Sequence, residues 1–183
     1  NWDGQVAAMK NGEVASHPGA VWWSGTMLEQ MPELSGKWDM FKLPAFEKGE
    51  TRASNDGGSA LAIPSSSKNK VAAYVFAEFA SVDVESQIKA LTNRGLFPAL
   101  LEAYNEPIFS EDQEYFNNEP FFKKFAEIVP DIPPVNHDAA ELEVRSVMGS
   151  EIEAFLLEGK SAMQMLEDGE KQAIQQTGKE TAE

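Results

Sequence analysis

The stretch from Arg52 to Phe79, RASNDGGSALAIPSSSKNKVAAYVFAEF, limits what this chain can fold into more than any other. Gly57-Gly58 opens it with a tight turn, because glycine enters positive φ without a Cβ clash and leaves its N–H groups uncovered. Ser59 to Ile63 is short, apolar and closed by Pro64, which suits a buried or edge strand better than a helix. Beyond Ser65-Ser66-Ser67, the apolar positions Val71, Ala72, Val75, Phe76 and Phe79 recur by three and four, so they line one face of a helix. A turn with bare amides feeding a strand and then a packed helix is a scaffold for holding a ligand. It is not evidence of catalysis.

Charge narrows the partners. The formal net charge of −15 leaves no Lys/Arg stripe to neutralise phosphates, which argues against nucleic acid as a partner. It equally disfavours anionic lipid headgroups, and its plainest meaning is a solvated acidic surface. With no cysteine, disulfides, thiolate metal sites and cysteine nucleophiles are excluded. No apolar run approaches the roughly 18 residues of a membrane span, so no direct membrane insertion is expected. An apolar fraction of 42% over 183 residues is enough for one well-buried domain or two small ones. The chain opens on Asn-Trp-Asp, and Val6-Ala7-Ala8-Met9 is already apolar, so it reads as the middle of a longer protein and a fragment is expected.

The remaining elements follow from punctuation and periodicity. Residues 1–12 read as a short helix broken at Asn11-Gly12. After the His17-Pro18-Gly19 turn, VWWSGTML reads as extended, and Lys37 to Leu43 as a strand stopped by Pro44. Asp83 to Arg94 is a second helix with Gly95 at its C′ position. Ser110-Glu111-Asp112-Gln113 has the form of a capping box that starts a short helix running into Tyr115-Phe116. Phe121, Phe122, Phe125 and Ile128 give a helical stripe through 119–129, and Pro130, Pro133 and Pro134 make a rigid linker. The longest helix spans about Asp138 to Glu158, stopped at Gly159. Ser161 and Gln164 form a second capping box that opens a last helix to about Gln176, and residues 178–183 are expected to fray.

Enzymatic constellations fail. His17 and His137 each stand alone, without a metal-binding partner at helical spacing, and read as surface histidines. Gly57 to Leu61 lacks the last glycine of a nucleophile elbow, and neither a Walker loop nor a dinucleotide fingerprint is present. No catalytic residue, metal ligand or cofactor site is therefore assigned. Binding chemistry does better. On a strand, Trp22 and Trp23 point to opposite faces, so one enters a core while the other faces a cleft. An exposed indole beside Ser24-Gly25-Thr26 suits the apolar C–H face of a sugar ring, with Asp56 and the amides of Gly57 and Gly58 binding hydroxyls. The alternative is that these are plain core aromatics. Tyr115-Phe116 offers a similar but weaker aromatic pair, since Phe116 also fits the stripe with Phe121 and Phe125.

Taken in order, GQVAAM at 4–9, GAVWWSG at 19–25, GKWDMFKLPAF at 36–46, GGSALAIPSSSKNKVAAYVFAEF at 57–79, GLFPALLEAY at 95–104 and EYFNNEPFFKKFAEI at 114–128 resemble a known family. They are similar to the C-terminal half of extracellular solute-binding protein family 1, the carbohydrate-binding components of ABC importers that include maltose-binding protein. The resemblance implies a helix-rich α/β architecture, part of a type II periplasmic-binding-protein (Venus-flytrap) fold whose two lobes close on the ligand. It implies that residues 1–43 belong to the C-terminal lobe, 44–103 to the N-terminal lobe and 104–183 to the C-terminal lobe again. Ligand-binding residues then fall on Trp22 or Trp23, on Asp56, Gly57 and Gly58, and on Tyr115 and Phe116. The Tyr-Phe-Gly-Gly-Gln run common in sugar-binding members is here Tyr-Phe-Asn-Asn-Glu-Pro. The implied function is extracytoplasmic sugar capture, in the periplasm or at a lipid-anchored cell surface, and delivery to ABC-transporter permease subunits, without enzymatic turnover. Two competitors stand beside it: a secreted carbohydrate-active enzyme using a carboxylate pair, and a helical protein-interaction module using Met27, Met31, Met163 and Met165.

Overall fold

The structure is a computed structural model that describes residues 2–135 and 138–179. His137 and the frayed tail expected over 180–183 lie outside the described residues. The chain forms two compact units, residues 1–133 and 134–183, and each is treated on its own.

In the first unit, α1 (Trp2–Lys10) places Val6 and Met9 on its buried side, and Gly12 at φ +74° turns the chain away as expected. The VWWSGTML segment departs from its sequence reading. It is a turn at Val21-Trp22 followed by helix α2 (Trp23–Gln30), which buries Trp23, Ser24 and Met27. A β-branched and aromatic run favours strands only where a neighbouring strand pairs with it. Among the described residues no strand forms at all. The one β-type pairing is an isolated antiparallel bridge between Gln113 and Glu119. The strands expected at 37–43 and 59–63 are irregular, because an extended segment without a pairing edge leaves its backbone groups to solvent. The helix-rich character holds, whereas the strands of an α/β architecture are missing from the described residues.

The helices α3 (Lys70–Val82) and α4 (Val84–Arg94) share Asp83, which ends the first and caps the second. Its carboxylate accepts from the Ser86 backbone N–H at 2.8 Å. Gly95 closes α4 in the left-handed region at φ +70°, as its sequence position predicts. The C-terminal end of α4 abuts the start of α2 at van der Waals distance. A Cβ added to Gly25 would lie 2.3 Å from the Arg94 carbonyl oxygen, and one added to Gly95 would lie 2.7 Å from the Gly25 nitrogen. Only two glycines permit that crossing.

The core of this unit joins Val6, Met9, Trp23, Met27, Met31, Leu34, Leu91, Phe109, Phe116, Phe121 and Phe122. Met27 and Met31 are 6% and 0% exposed, so these two of the four methionines considered as adaptable contact surface are core filling instead. A capping box at Ser110 does not form. The Ser110 N–H bonds to the Pro107 carbonyl and closes a 3-10 turn over Pro107–Phe109. The next turn, Glu114–Phe116, is also 3-10, and Asn117 and Asn118 follow it at φ +60° and +54°. Asparagine tolerates the left-handed region better than other non-glycine residues. The Asn-Asn pair therefore supplies a bend where Gly-Gly occurs in the related run. Helix α5 (Phe121–Ala126) then carries the expected aromatic stripe.

The second unit is a hairpin of α6 (Glu141–Leu157) and α7 (Ala162–Thr177). The Ser161–Gln164 capping box forms in full, and Gly159 adopts φ +76° in the connection. Gly169 makes room for the Met148 sulfur, which would lie 2.6 Å from a Cβ there. Glu151 is buried but paired, with the Lys160 ammonium on one oxygen and Gln172 Nε2 donating to the other at 2.6 Å.

Candidate ligand-binding site

Two of the stretches singled out in the sequence meet in space. The Trp22 indole N–H donates to the Asp56 carbonyl oxygen at 2.9 Å, across 34 residues of chain. Gly57 sits against the same ring, since a Cβ added to it would lie 3.5 Å from Trp22 Nε1. Gly57 and Gly58 adopt φ +101° and +128°, values at which any L side chain is strained. The Asn55 side-chain amide donates to the Gly57 carbonyl at 3.0 Å. Upstream, the Arg52 guanidinium donates to the carbonyls of Leu43 and Lys42 at 2.8 and 3.0 Å. The Gly-Gly loop is thus tied at Trp22 and at Arg52, with its own amides exposed.

Because the adjacent tryptophans start a helix, they project about 100° apart rather than to opposite faces. Both join a single aromatic cluster. Trp23 is 4% exposed and packs edge-on to Trp22, with ring centroids 5.9 Å apart. Trp22 is half-buried and stacks on Trp2, centroids 5.8 Å apart and planes inclined by 20°. Trp2 meets Trp23 edge-on at 4.6 Å. The indole N–H of Trp23 and the hydroxyl of Ser24 are buried without a hydrogen-bond partner, an arrangement that costs about 1–3 kcal/mol per group.

His17 is also part of this cluster rather than a free surface histidine. Its ring lies 4.9 Å from that of Trp23, and Nδ1 is hydrogen-bonded to Gln5 Nε2 at 2.9 Å. Gly19 lets the ring fold back, as a Cβ there would lie 2.7 Å from His17 Nε2. Burial lowers the His17 pKa from its ordinary 6.5, and the negative charge of Asp56 opposes that shift. At neutral pH the ring is therefore uncharged, with an imidazole beside the exposed Asp56 carboxylate.

Tyr115 and Phe116 are placed elsewhere. Both are core groups, 8% and 2% exposed. The Tyr115 hydroxyl donates to the Met31 carbonyl at 2.7 Å, and burial, reinforced by the charge of Glu33, pushes its pKa up to about 12. Phe116 stacks on Phe121 at 3.7 Å. Of the seven sequence-derived site residues, the structure brings Trp22, Trp23, Asp56 and Gly57 together, with Gly58 next in the loop, and keeps Tyr115 and Phe116 in the core. Trp2 and His17 complete the cluster and were not singled out as ligand-facing. A signal for Trp2 existed: positions 2, 6 and 9 lie on one helical face with Val6 and Met9. An open groove between α2 and α4, with the Arg94–Glu29 ion pair on its rim, offers no aromatic face.

Residues 1–83 match the family described as bacterial extracellular solute-binding protein. The chain is 30% identical over 173 residues to a lactose-binding protein of Rhizobium radiobacter, covering 93% of this chain and 40% of that protein. It is 28% identical over 130 residues to an arabinooligosaccharide-binding protein of Halalkalibacterium halodurans, covering 70% of this chain and 29% of the relative. The Bacillus subtilis protein of the same description is 29% identical over 149 residues, 76% of this chain and 34% of the relative. The chain therefore spans well under half the length of these relatives. No solved structure matches it significantly.

Proposed function

We propose that the chain belongs to the bacterial extracellular solute-binding protein family, whose description matches residues 1–83, and that it is the C-terminal portion of a sugar-binding protein that captures a saccharide outside the cytoplasm and delivers it to the permease subunits of an ABC importer. One observation carries this reading: the Trp22–Asp56 hydrogen bond joins an aromatic stack and a glycine loop with exposed amides into one patch. A pyranose or furanose ring has an apolar C–H face and a rim of hydroxyls. The indole stack suits the first. The Asp56 carboxylate, an acceptor, and the Gly57 and Gly58 amides, donors, suit the second. The relatives named for lactose and arabino-oligosaccharides support a mono- or oligosaccharide ligand and a binding protein rather than an enzyme.

The type II flytrap architecture and the lobe assignment, with 1–43 and 104–183 in one lobe and 44–103 in the other, belong to the same proposal. What supports them is apolar surface without cover. Helix α3 buries none of its residues, and Phe41, Phe46 and Leu61 are 71%, 101% and 61% exposed. Such a surface calls for a packing partner, and the relatives are more than twice as long as this chain. The protein would act in the periplasm or anchored by lipid at the cell surface.

Titration of the intact protein with lactose and with an arabino-oligosaccharide, followed by tryptophan fluorescence, tests the function. A saturable change for one of them is expected, with the sugar recovered unaltered and the response lost in Trp22→Ala. No saturable response to either sugar would remove the binding reading, and hydrolysis of the sugar would favour a carbohydrate-active enzyme.

A further inference from the structure

The three tryptophans of the cluster are not equivalent. Trp23 is 4% exposed, with Trp2, Trp22 and His17 around its ring, so no face of it is open to a ligand. Trp22 has one face stacked on Trp2, and its only polar hydrogen is committed to the Asp56 carbonyl. An indole N–H bound in this way is not available to a sugar hydroxyl, but it fixes the position of the loop. Trp2 differs from both. It lies on the same helical face as Val6 and Met9, which are 8% and 1% exposed, yet it is itself 44% exposed. Its ring stacks on that of Trp22 and meets that of Trp23 in an edge-to-face contact. The ring is held by two neighbouring indoles and still keeps 44% of its surface exposed.

From this inequality we propose that Trp2 is the ring on which the sugar stacks, and that Trp22 is a positioning residue that holds the Asp56–Gly58 loop beside it. The proposal rests on the sugar-binding reading above and divides its labour. The ring of Trp22 backs Trp2, so two parallel indoles present one rigid platform. The N–H of Trp22 sets the height of the loop, whose exposed carboxylate and amides meet the hydroxyl rim of a saccharide lying on Trp2. The ligand class is therefore a saccharide with a continuous C–H face. An acyclic polyol, which lacks that face, is excluded.

The experiment combines affinity with hydrogen exchange on the intact protein. Lactose and an arabino-oligosaccharide are titrated into wild type, Trp2→Ala, Trp2→Phe and Trp22→Phe, and exchange is followed at the amides of residues 55–59 without sugar. For the sugar that wild type binds, Trp2→Ala is expected to weaken affinity by about tenfold or more, with loop exchange unchanged. Trp2→Phe, which keeps an aromatic face, recovers most of the affinity. Trp22→Phe, which keeps a ring but loses the N–H, accelerates loop exchange and weakens binding as well. Wild-type affinity in Trp2→Ala overturns the platform role. So does a Trp2→Ala variant that loosens the loop as much as Trp22→Phe does and is not rescued by phenylalanine, because Trp2 is then only packing. Unchanged loop exchange in Trp22→Phe overturns the positioning role. A wild type that binds neither sugar, with the exchange pattern intact, sinks the functional reading and removes Trp2's ligand.

Discussion

Helices α3 and α4 are separated by one residue, and the more apolar of the two is the less buried. In α3, Val71, Tyr74, Val75, Phe76, Phe79 and Val82 are all more than half exposed, and the helix contributes nothing to a core. In α4, a more polar helix, Leu91 is 1% exposed and Gly95 is clamped against Gly25. Hydrophobic periodicity defines a face but not what covers it. Burial arises where a second element of matching shape arrives, and for α4 that element is α2, admitted by two glycines. On α3 only Ala73, Ala77 and Ala80 are partly covered, and no described element covers the face that carries Val71, Val75, Phe76 and Phe79. The candidate site lies on the α4 side of this contrast, built on α1 and α2.

Substitutions on the two helices break or sharpen the comparison. Leu91→Ala should destabilise the chain by about 3 kcal/mol, read from the denaturant midpoint, because a fully buried side chain leaves a cavity. Gly25→Ala should cost about 2 kcal/mol, since the added methyl meets the Arg94 backbone oxygen rather than a flexible side chain. Equal stability of Gly25→Ala and wild type would mean that the α2–α4 crossing is looser than described. Removing one hydrogen bond with Trp22→Phe should cost about 1 kcal/mol. On the other helix, Phe76→Ser should change the stability of the 183-residue chain by less than about 0.5 kcal/mol. A larger loss there would show that α3 is covered in solution, and the contrast would collapse.

The smallest effect is pH-dependent. The pKa of His17 is lowered in the folded chain, so below 6.5 the unfolded state takes up a proton first. Stability is unaffected by this group above pH 6.5 and falls as the pH drops from there toward the lower folded value. His17→Gln should remove that part of the decline. Identical pH–stability profiles for wild type and variant between pH 7 and 5 would show that the ring is solvated.

Helix ends were the most legible part of the sequence, because their signals are local. Asp83, Gly95, Ser161, Gln164 and Gly159 do what their spacing predicts. The segments at 21–28, 37–43 and 59–63 were misread for one shared reason. Strand propensity is a statement about fitting beside another strand, and a single segment does not say whether a neighbour exists. At Ser110 the capping pattern was present, but the hydrogen bonds of a 3-10 turn and the Gln113–Glu119 bridge took its backbone groups. The binding chemistry of Trp22 and of Asp56 is legible in the sequence, but their contact is not, since 34 residues separate them. Trp2 gives no signal as a candidate ligand-facing residue in the sequence, because an isolated tryptophan near a helix start has no motif. Only its exposure above a packed stripe sets it apart.

Under the proposed function, the Trp22-anchored glycine loop forms the sugar-facing edge of the protein. Hydrogen exchange of the intact protein with and without saturating sugar tests it directly. Protection confined mainly to the amides of residues 55–59, and lost in Trp22→Phe, is the predicted result. Sugar-induced protection that leaves residues 55–59 unchanged and appears elsewhere would contradict it.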